Sequence, residues 1–216
     1  MHILYEDNRI VVCLKPSGVR STDEPGGMPE LLREALHTPC IRTVHRLDQV
    51  VGGVMVFARS RMAASILSGQ IQSRRFQKDY LAVVHGTLPA EGRFCDWLLR
   101  EAYDGMTRCV PEGTPGAKEA RLRFCALAWK DDKTLLRVAL ETGRTHQIRT
   151  QFSAHGHPLL GDRKYGRGEA GGIALWSERI GFFHPERGDW MEFSHAPLEM
   201  PQFADFMDCI SDQSIV

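Results

Sequence analysis

The sequence predicts an α+β fold, and three observations carry the prediction. Strand-like and helix-period runs intermix along the 216 residues without the regular βαβ alternation of a parallel sheet. Residues 121–140 read as an antiparallel hairpin: Leu122, Phe124 and Ala126 alternate on one limb, Leu136, Val138 and Leu140 on the other, with Asp131-Asp132 between them. No internal repeat, low-complexity run or boundary-quality linker interrupts the chain, so residues 1–216 are expected to form a single domain.

The elements follow in order. Residues 2–6 and 9–14 are two strand-like runs joined at Asp7-Asn8, a turn pair. Lys15-Pro16-Ser17-Gly18 ends the second. A polar loop over 21–27 leads to a helix over 29–36, with Pro29 at a tolerated early position. The short run 41–44 and the buried strand 54–58 flank a charged cluster. Ser60 caps a helix over 61–74, in which Ala63, Ile66, Leu67 and Ile71 recur at a period near 3.6. Residues 80–85 form a strand closed by Gly86. Residues 89–116 mix glycine, proline, charges and aromatics, and read as loop with short elements. After the hairpin, 145–155 is a helix ended by Gly156. Strands at 173–176 and 179–184 and an amphipathic piece at 203–210 complete the chain.

Composition sets the outer bounds. The chain is 43% hydrophobic and 25% charged, ordinary for a soluble globular protein and enough to bury a core. Lysine plus arginine number 27 and aspartate plus glutamate 27, so any nucleic-acid partner has to be argued from local clusters. No apolar run approaches the ~20 residues that span a bilayer, which argues against a membrane partner. The start, MHILYEDNRIVV, has acids where an export signal needs bases, so a cytoplasmic location is expected. Cysteines 13, 40, 95, 109, 125 and 209 lack paired spacing and read as reduced.

Three places gather polar groups beside apolar strands. They are HRLD at 45–48 followed by Gly52-Gly53, KDY at 78–80, and the run GRTHQIRTQFSAHGHPLLGDRKYG at 143–166. On a helix His146, Arg149 and Ser153 share one side, and Ile148 and Phe152 another. Each place also has a plain reading. Asp48 could pair Arg46 or Arg42 at a strand end, and Tyr80 could be a core-edge tyrosine. His146, His155 and His157 allow a metal-dependent phosphoesterase, although an HxH without cysteine or a second acid is a weak ligand set, and no metal is expected. Phosphate-cradling glycine patterns are absent, so no nucleotide cofactor is expected.

Taken together these blocks resemble the RluA-type RNA pseudouridine synthases along nearly the whole chain. YEDNRIVVCLKPSG is similar to that family's first strand-loop block, HRLDQVVGG to its catalytic loop and QKDYLAVVHG to its tyrosine-bearing strand. LETGRTHQIRTQFSAHGHPLLGDRKYG is similar to its long third block. The resemblance implies a single catalytic domain on a mixed, mainly antiparallel sheet with flanking helices. It implies isomerisation of uridine in rRNA or tRNA to pseudouridine, by a monomer, without cofactor or metal. Residue by residue, Asp48 falls on the catalytic aspartate, Tyr80 on the active-site tyrosine that assists proton transfer, and Arg149 on the basic residue paired with the aspartate. Arg46 falls on the arginine that enters the RNA, with His45, Arg144, His146 and Ile148 as further RNA- or uridine-contacting positions. Many members carry Thr-Ser-Gly where this chain has Val51-Gly52-Gly53. The chain starts at the catalytic domain, so a separate N-terminal RNA-binding domain is not expected.

Elementary physics supports the assignment. Glycosidic cleavage uses an ionised carboxylate, and a nearby arginine offsets the desolvation that would protonate it. Arg149 is therefore expected within hydrogen-bonding reach of Asp48. The base must leave its stack before its bond to the sugar is reached, which gives an inserted Arg46 a use and makes looped RNA the natural target. Basic clusters at Arg74, Arg75 and Lys78, at Arg144 and Arg149, and at Arg163, Lys164 and Arg167 suit the RNA backbone. A binding relative without activity would keep these clusters and lose the aspartate or tyrosine; both are present.

Overall fold

The computed structural model describes residues 1–212. Strands β1 (Ile3–Glu6) and β2 (Ile10–Lys15), helix α1 (Met28–Ala35), strands β3 (Arg42–Thr43) and β4 (Gly52–Ala58) and helix α2 (Arg61–Gln72) come first. Strands β5 (Gln77–His85), β6 (Glu91–Arg100), β7 (Thr107–Val110), β8 (Lys118–Lys130) and β9 (Lys133–Leu140) and helix α3 (Gln147–Ala154) follow. Strands β10 (Leu175–Phe183) and β11 (Trp190–Ser194), a 3-10 turn (Pro201–Phe206) and helix α4 (Met207–Asp212) close the described chain. The architecture is a mixed, mainly antiparallel sheet with flanking helices. The elements gather into two compact units, one from Met1–Lys78 and Trp176–His195, the other from Asp79–Leu175 and the described chain after it from Ala196.

In the first unit β4 is the central strand. Its sequence, GGVMVFA, is buried at every position and so shows no alternation. One edge pairs antiparallel with β2; the other is shared between β3, antiparallel at Phe57–Ala58, and β10, parallel at Gly52–Gly53. Helix α2 starts at the expected cap, Ser60 Oγ accepting from the Ala63 N–H, and lays Ala63 and Leu67 on Val54, Val56, Ile180 and Phe182. Gln70 ties it down, its side-chain amide bonding both the N–H and the C=O of Phe183 at 2.8 Å. The helix stops two residues earlier than 74, because Arg74 turns left-handed at φ 58°.

The second unit is an antiparallel sheet in the order β5-β9-β8-β6-β7. The anticipated hairpin is β8–β9, and both turn residues have positive φ, 48° at Asp131 and 57° at Asp132, the conformation whose twist suits a two-residue hairpin. The expectation of loop over 89–116 is corrected: β6 runs for ten residues and pairs β8 on one edge and β7 on the other. Its pattern hid it because both faces are mixed: Phe94, Asp96 and Leu98 alternate with Arg93, Cys95 and Trp97. Strands expected at 173–176 and 179–184 are one strand, β10, and β11, which the sequence reading left out, pairs with it. The piece at 203–210 is half 3-10 turn and half helix, burying Phe203, Phe206 and Ile210.

The turn at Asp7 closes the first unit. Its Oδ1 accepts the N–H groups of Arg9 (2.7 Å) and Ile10 (2.9 Å), while Oδ2 meets the Tyr5 hydroxyl (2.9 Å) and His184 Nε2 (2.8 Å). Burial works against the ionised form, but these donors outweigh it and hold the carboxyl at about 2. A carboxyl depressed in the fold stabilises above its unfolded value and loses that contribution as pH falls toward the folded one. Asp7→Ala should therefore lower unfolding free energy by about 2 kcal/mol at neutral pH. In urea melts the deficit should close between pH 4 and 2; a deficit independent of pH would remove the carboxylate from the account.

Candidate active site

The charged cluster lies on the loop between β3 and β4, in the first unit. Side chains alternate along it: His45 and Leu47 point inward and are buried, Arg46 is exposed, and Asp48 is half-buried. An inward-outward alternation fixes the backbone through the buried pair and presents the other two. His45 packs its ring at 5.3 Å from Phe76 and accepts the Val56 N–H through Nε2 at 3.2 Å, so the loop is bolted to the central strand. A turn bond from Val51 N–H to the Asp48 carbonyl (3.0 Å) closes the loop's far side.

The segment after β2 supplies the remaining anchors. Ser21 Oγ donates to the Leu47 carbonyl (2.8 Å) and accepts the Leu47 N–H (3.0 Å). Ser17 Oγ donates to the Val50 carbonyl (2.7 Å), and the Gly18 N–H to the Gln49 carbonyl (2.8 Å). Lys15, fully buried, gives its ammonium to the carbonyls of Pro16 (2.8 Å), Val19 (2.6 Å) and Gln49 (3.2 Å). Burial draws this lysine down to about 8, and the negative charge of Asp48 works in the opposite direction. Sequence reasoning took Lys15-Pro16-Ser17-Gly18 as a strand ending and missed its function as the clamp on the loop. The available signal was a lysine closing an apolar strand with no carboxylate near it in sequence.

The two glycines after the loop have steric causes. A Cβ on Gly53 (φ 128°) would collide with the backbone of Ser177, and one on Gly52 would enter the ring of Trp176. Both arise because β10 pairs with β4 at that point.

In the second unit Tyr80 is buried on β5, opposite Val138 of β9. Helix α3 begins at Gln147, later than expected, because His146 is left-handed at φ 55°. The helix is buried nearly all round, so its expected polar stripe is an interior one, and Ile148 and Arg149 are both buried. Arg149 makes a two-pronged bond to Asp162, Nε to Oδ2 and Nη2 to Oδ1, each 2.8 Å. Asp162 also accepts the N–H groups of Lys164 (2.9 Å) and Tyr165 (3.1 Å). Burial alone would raise its carboxyl; Arg149 and these N–H groups reverse that and lower it. The guanidinium lies 5.0 Å from the centre of the Tyr165 ring, whose hydroxyl bonds His146 Nδ1 (2.7 Å) and accepts the Thr107 N–H (2.8 Å). Asp162 and Tyr165 lie within the GDRKYG run, where residue type alone assigns neither of them a function.

The remaining sequence-predicted residues fall as follows. Arg144 is half-buried, its Nε on the Glu119 carbonyl at 2.8 Å, and its N–H bonds Gln147. The three histidines of the metal reading have separate partners: His146 meets Tyr165, His155 meets Asp96 and stacks on Phe94, and His157 meets the His85 carbonyl. Among the described residues no group of three or more histidine, cysteine or acidic side chains is placed to share a metal ion. No described helix is long and apolar enough to cross a membrane.

Comparison with known proteins gives a consistent result. A family model described as RNA pseudouridylate synthase matches residues 9–154. The chain is 39% identical to YjbO of Bacillus subtilis, an uncharacterized RNA pseudouridine synthase, over 92% of this chain and 72% of that one. It is 36% identical to the dual-specificity RNA pseudouridine synthase RluA of Escherichia coli, over 91% and 93% of the two chains. Among solved structures, human RNA pseudouridylate synthase domain-containing proteins 4 and 1 share the fold with TM-scores of 0.78 at 20% and 24% identity. They cover 96% of this chain, which spans 93% and 86% of theirs.

Two predictions come from these anchors. Lys15→Met keeps the stem but leaves buried carbonyls without a donor, at about 1–3 kcal/mol each before relaxation. Its melting temperature should fall and amide exchange at residues 47–51 should quicken; unchanged exchange there would show that the clamp does not hold the loop. Arg149→Ala strands a buried carboxylate at Asp162 and should cost about 3–5 kcal/mol. In a double-mutant cycle by denaturant unfolding, Arg149→Ala with Asp162→Ala should cost clearly less than the sum of the single losses; strict additivity would contradict the pair.

Proposed function

We propose, from the premise that this chain belongs to the RNA pseudouridylate synthase family, that Asp48 is the catalytic carboxylate of its uridine isomerisation. The protein is an RNA pseudouridine synthase; the assignment of roles to residues is the proposal. The observation that carries it is the alternation on the 45–48 loop, where two buried side chains fix the backbone that presents Arg46 and Asp48.

The reaction breaks the N1–C1′ bond of uridine and makes a C5–C1′ bond. N1 gains a proton and C5 loses one, so the product is an isomer. An ionised Asp48 acts as nucleophile or as counter-charge to the positive character that develops at the sugar. Tyr80 serves a proton transfer on the base. Arg149 is the cation assigned to keep Asp48 charged; its bond to Asp162 fixes the plane of the guanidinium, which supports a positioning role. Arg46, exposed beside the carboxylate, enters the RNA in place of the displaced base. His45, with both faces in the interior, serves through the loop it anchors.

The substrate is inferred to be a looped uridine of rRNA or tRNA, since unpaired bases leave their stack at least cost. Every assigned residue lies on one chain, so a single copy suffices for the reading. The test is Asp48→Asn, which keeps shape and removes charge. Purified wild type and variant are incubated with total RNA from a strain lacking the gene, and pseudouridines are mapped. Wild type should restore a defined position and the variant should lose at least about a thousandfold in rate, the scale of removing a covalent or electrostatic catalyst. Near-normal turnover by a well-folded variant would sink the assignment.

A further inference from the structure

In the second unit the helical side shared by His146, Arg149 and Ser153 meets Tyr165, and the three contacts differ in kind. His146 Nδ1 bonds the Tyr165 hydroxyl at 2.7 Å, the Arg149 guanidinium lies 5.0 Å from the centre of its ring, and Ser153 Oγ donates to its carbonyl at 2.6 Å. The Tyr165 N–H donates to Asp162 Oδ1 at 3.1 Å, the oxygen that also accepts from Arg149 Nη2. Tyr165 is therefore fixed at its amide, its carbonyl and its hydroxyl. Its ring is one boundary of the Arg149 guanidinium, and Asp162 is another.

The hydroxyl decides where the His146 hydrogen sits. It accepts the Thr107 N–H at 2.8 Å, and among the described residues its other partner is His146. A backbone N–H can only donate, so the phenolic hydrogen has a protein partner only if it goes to His146 Nδ1. Assigned from this network, the neutral imidazole carries its hydrogen on Nε2. Nε2 is then a donor, and whatever meets it, on the protein or on RNA, meets it as an acceptor. With one nitrogen protonated and the other accepting from Tyr165, the neutral ring has no free lone pair. It cannot take the proton that C5 of uridine loses. His146 is also left-handed, at φ 55° and ψ 22°, directly before α3. A non-glycine residue keeps that conformation where its surroundings hold it, and such residues gather at functional sites.

We propose that Tyr165 is a positioning residue for the uridine isomerisation, its ring aligning Arg149 and its hydroxyl holding His146 as the Nε2–H tautomer. The proposal rests on the reading of Arg149 as the cation that serves the catalytic carboxylate. It gives His146 the part of a neutral donor of fixed direction and leaves proton abstraction to other groups. The two tasks use different parts of one side chain, the face of the ring and the phenolic oxygen, so substitution can separate them. Phenylalanine would retain the first and lose the second.

Tyr165→Phe and Tyr165→Leu test this, each assayed well below its melting temperature. The tautomer is read by nitrogen NMR of histidine-labelled protein without RNA, at about pH 8, where an ordinary histidine is neutral. The His146 signals are identified by their loss in His146→Gln. Wild type should show a protonated Nε2 and an unprotonated Nδ1, and Tyr165→Phe a mixture of the two tautomers. On total RNA from a strain lacking the gene, Tyr165→Phe should lose about tenfold in kcat and Tyr165→Leu about a hundredfold, the scale of a misplaced catalytic group, with KM within about twofold in both. A tyrosine of structural importance alone would lower the melting temperature and leave the tautomer and the kcat of the folded protein unchanged. Nδ1-protonated His146 in wild type, or a wild-type tautomer in Tyr165→Phe, would overturn the proposal. If Asp48→Asn is inactive while Tyr165→Phe keeps the wild-type tautomer and kcat, the catalytic reading stands and this inference falls. If Asp48→Asn turns over normally, the catalytic reading falls, and the NMR comparison still decides whether Tyr165 sets the tautomer.

Discussion

The site depends on a backbone constraint: the loop bearing Asp48 has no regular structure of its own, yet almost every turn of it is bonded to something that has. Lys15 and Ser21 approach from the end of β2, His45 reaches down to β4, and β10 closes on Gly52 and Gly53. A carboxylate on a free loop would sample many orientations, and each degree of freedom frozen at the moment of reaction would add to the barrier. Here that ordering is done on folding. This explains why Lys15, Ser21 and His45, which fix the loop, are buried while the residues it presents, Arg46 and Asp48, are not.

Two buried cations, Lys15 and Arg149, divide the electrostatic work. Lys15 is held by carbonyl dipoles and works on the backbone. Arg149 is held by a full carboxylate and, through Tyr165 and His146, is part of a network linking α3 to the segment after it. A buried charge is stable only to the degree that it is compensated, and both of these are. Lys15 spends its compensation on the loop backbone, and Arg149 on fixing the plane of its guanidinium.

Much of the fold was legible because local chemistry and tertiary pairing agreed. Asp131-Asp132, Ser60 and Asp7-Asn8 each do in the structure what their residue types favour in isolation. Strand β6 was not legible, since Asp96 and Phe94 share one face and Arg93 and Trp97 the other, and a period-2 signal needs faces of different polarity. The start of α3 was displaced because a histidine adopts the left-handed conformation, which its residue type does not announce. At the site, the cluster at 45–48 could be found from its charge between two apolar runs. Its supports could not, because Lys15 and Ser21 reach the loop at Gln49 and Leu47, about thirty residues away, and Asp162 is distinguished from any other acid only by the arginine that folds onto it.

The pair Gly52-Gly53 shows why a departure from a family's pattern can leave the architecture whole. The resemblance places a hydroxyl residue where this chain has Gly52. Here the ring of Trp176 occupies the space into which a side chain at 52 would project, and its indole N–H is fixed on the His195 carbonyl at 2.7 Å. Position 53 must approach the Ser177 backbone closely in any case, and Ser177 Oγ donates to the Val54 carbonyl at 3.0 Å. The exit of the loop is thus fixed from β10, by an aromatic ring and a serine hydroxyl, rather than from the loop itself. What a side chain contributes on one strand can be supplied by its neighbour on the next, provided the backbone path is kept. Steric complementarity between Gly52 and Trp176 makes the two positions a coupled pair, so a serine at 52 is compatible with this backbone only alongside a smaller residue at 176.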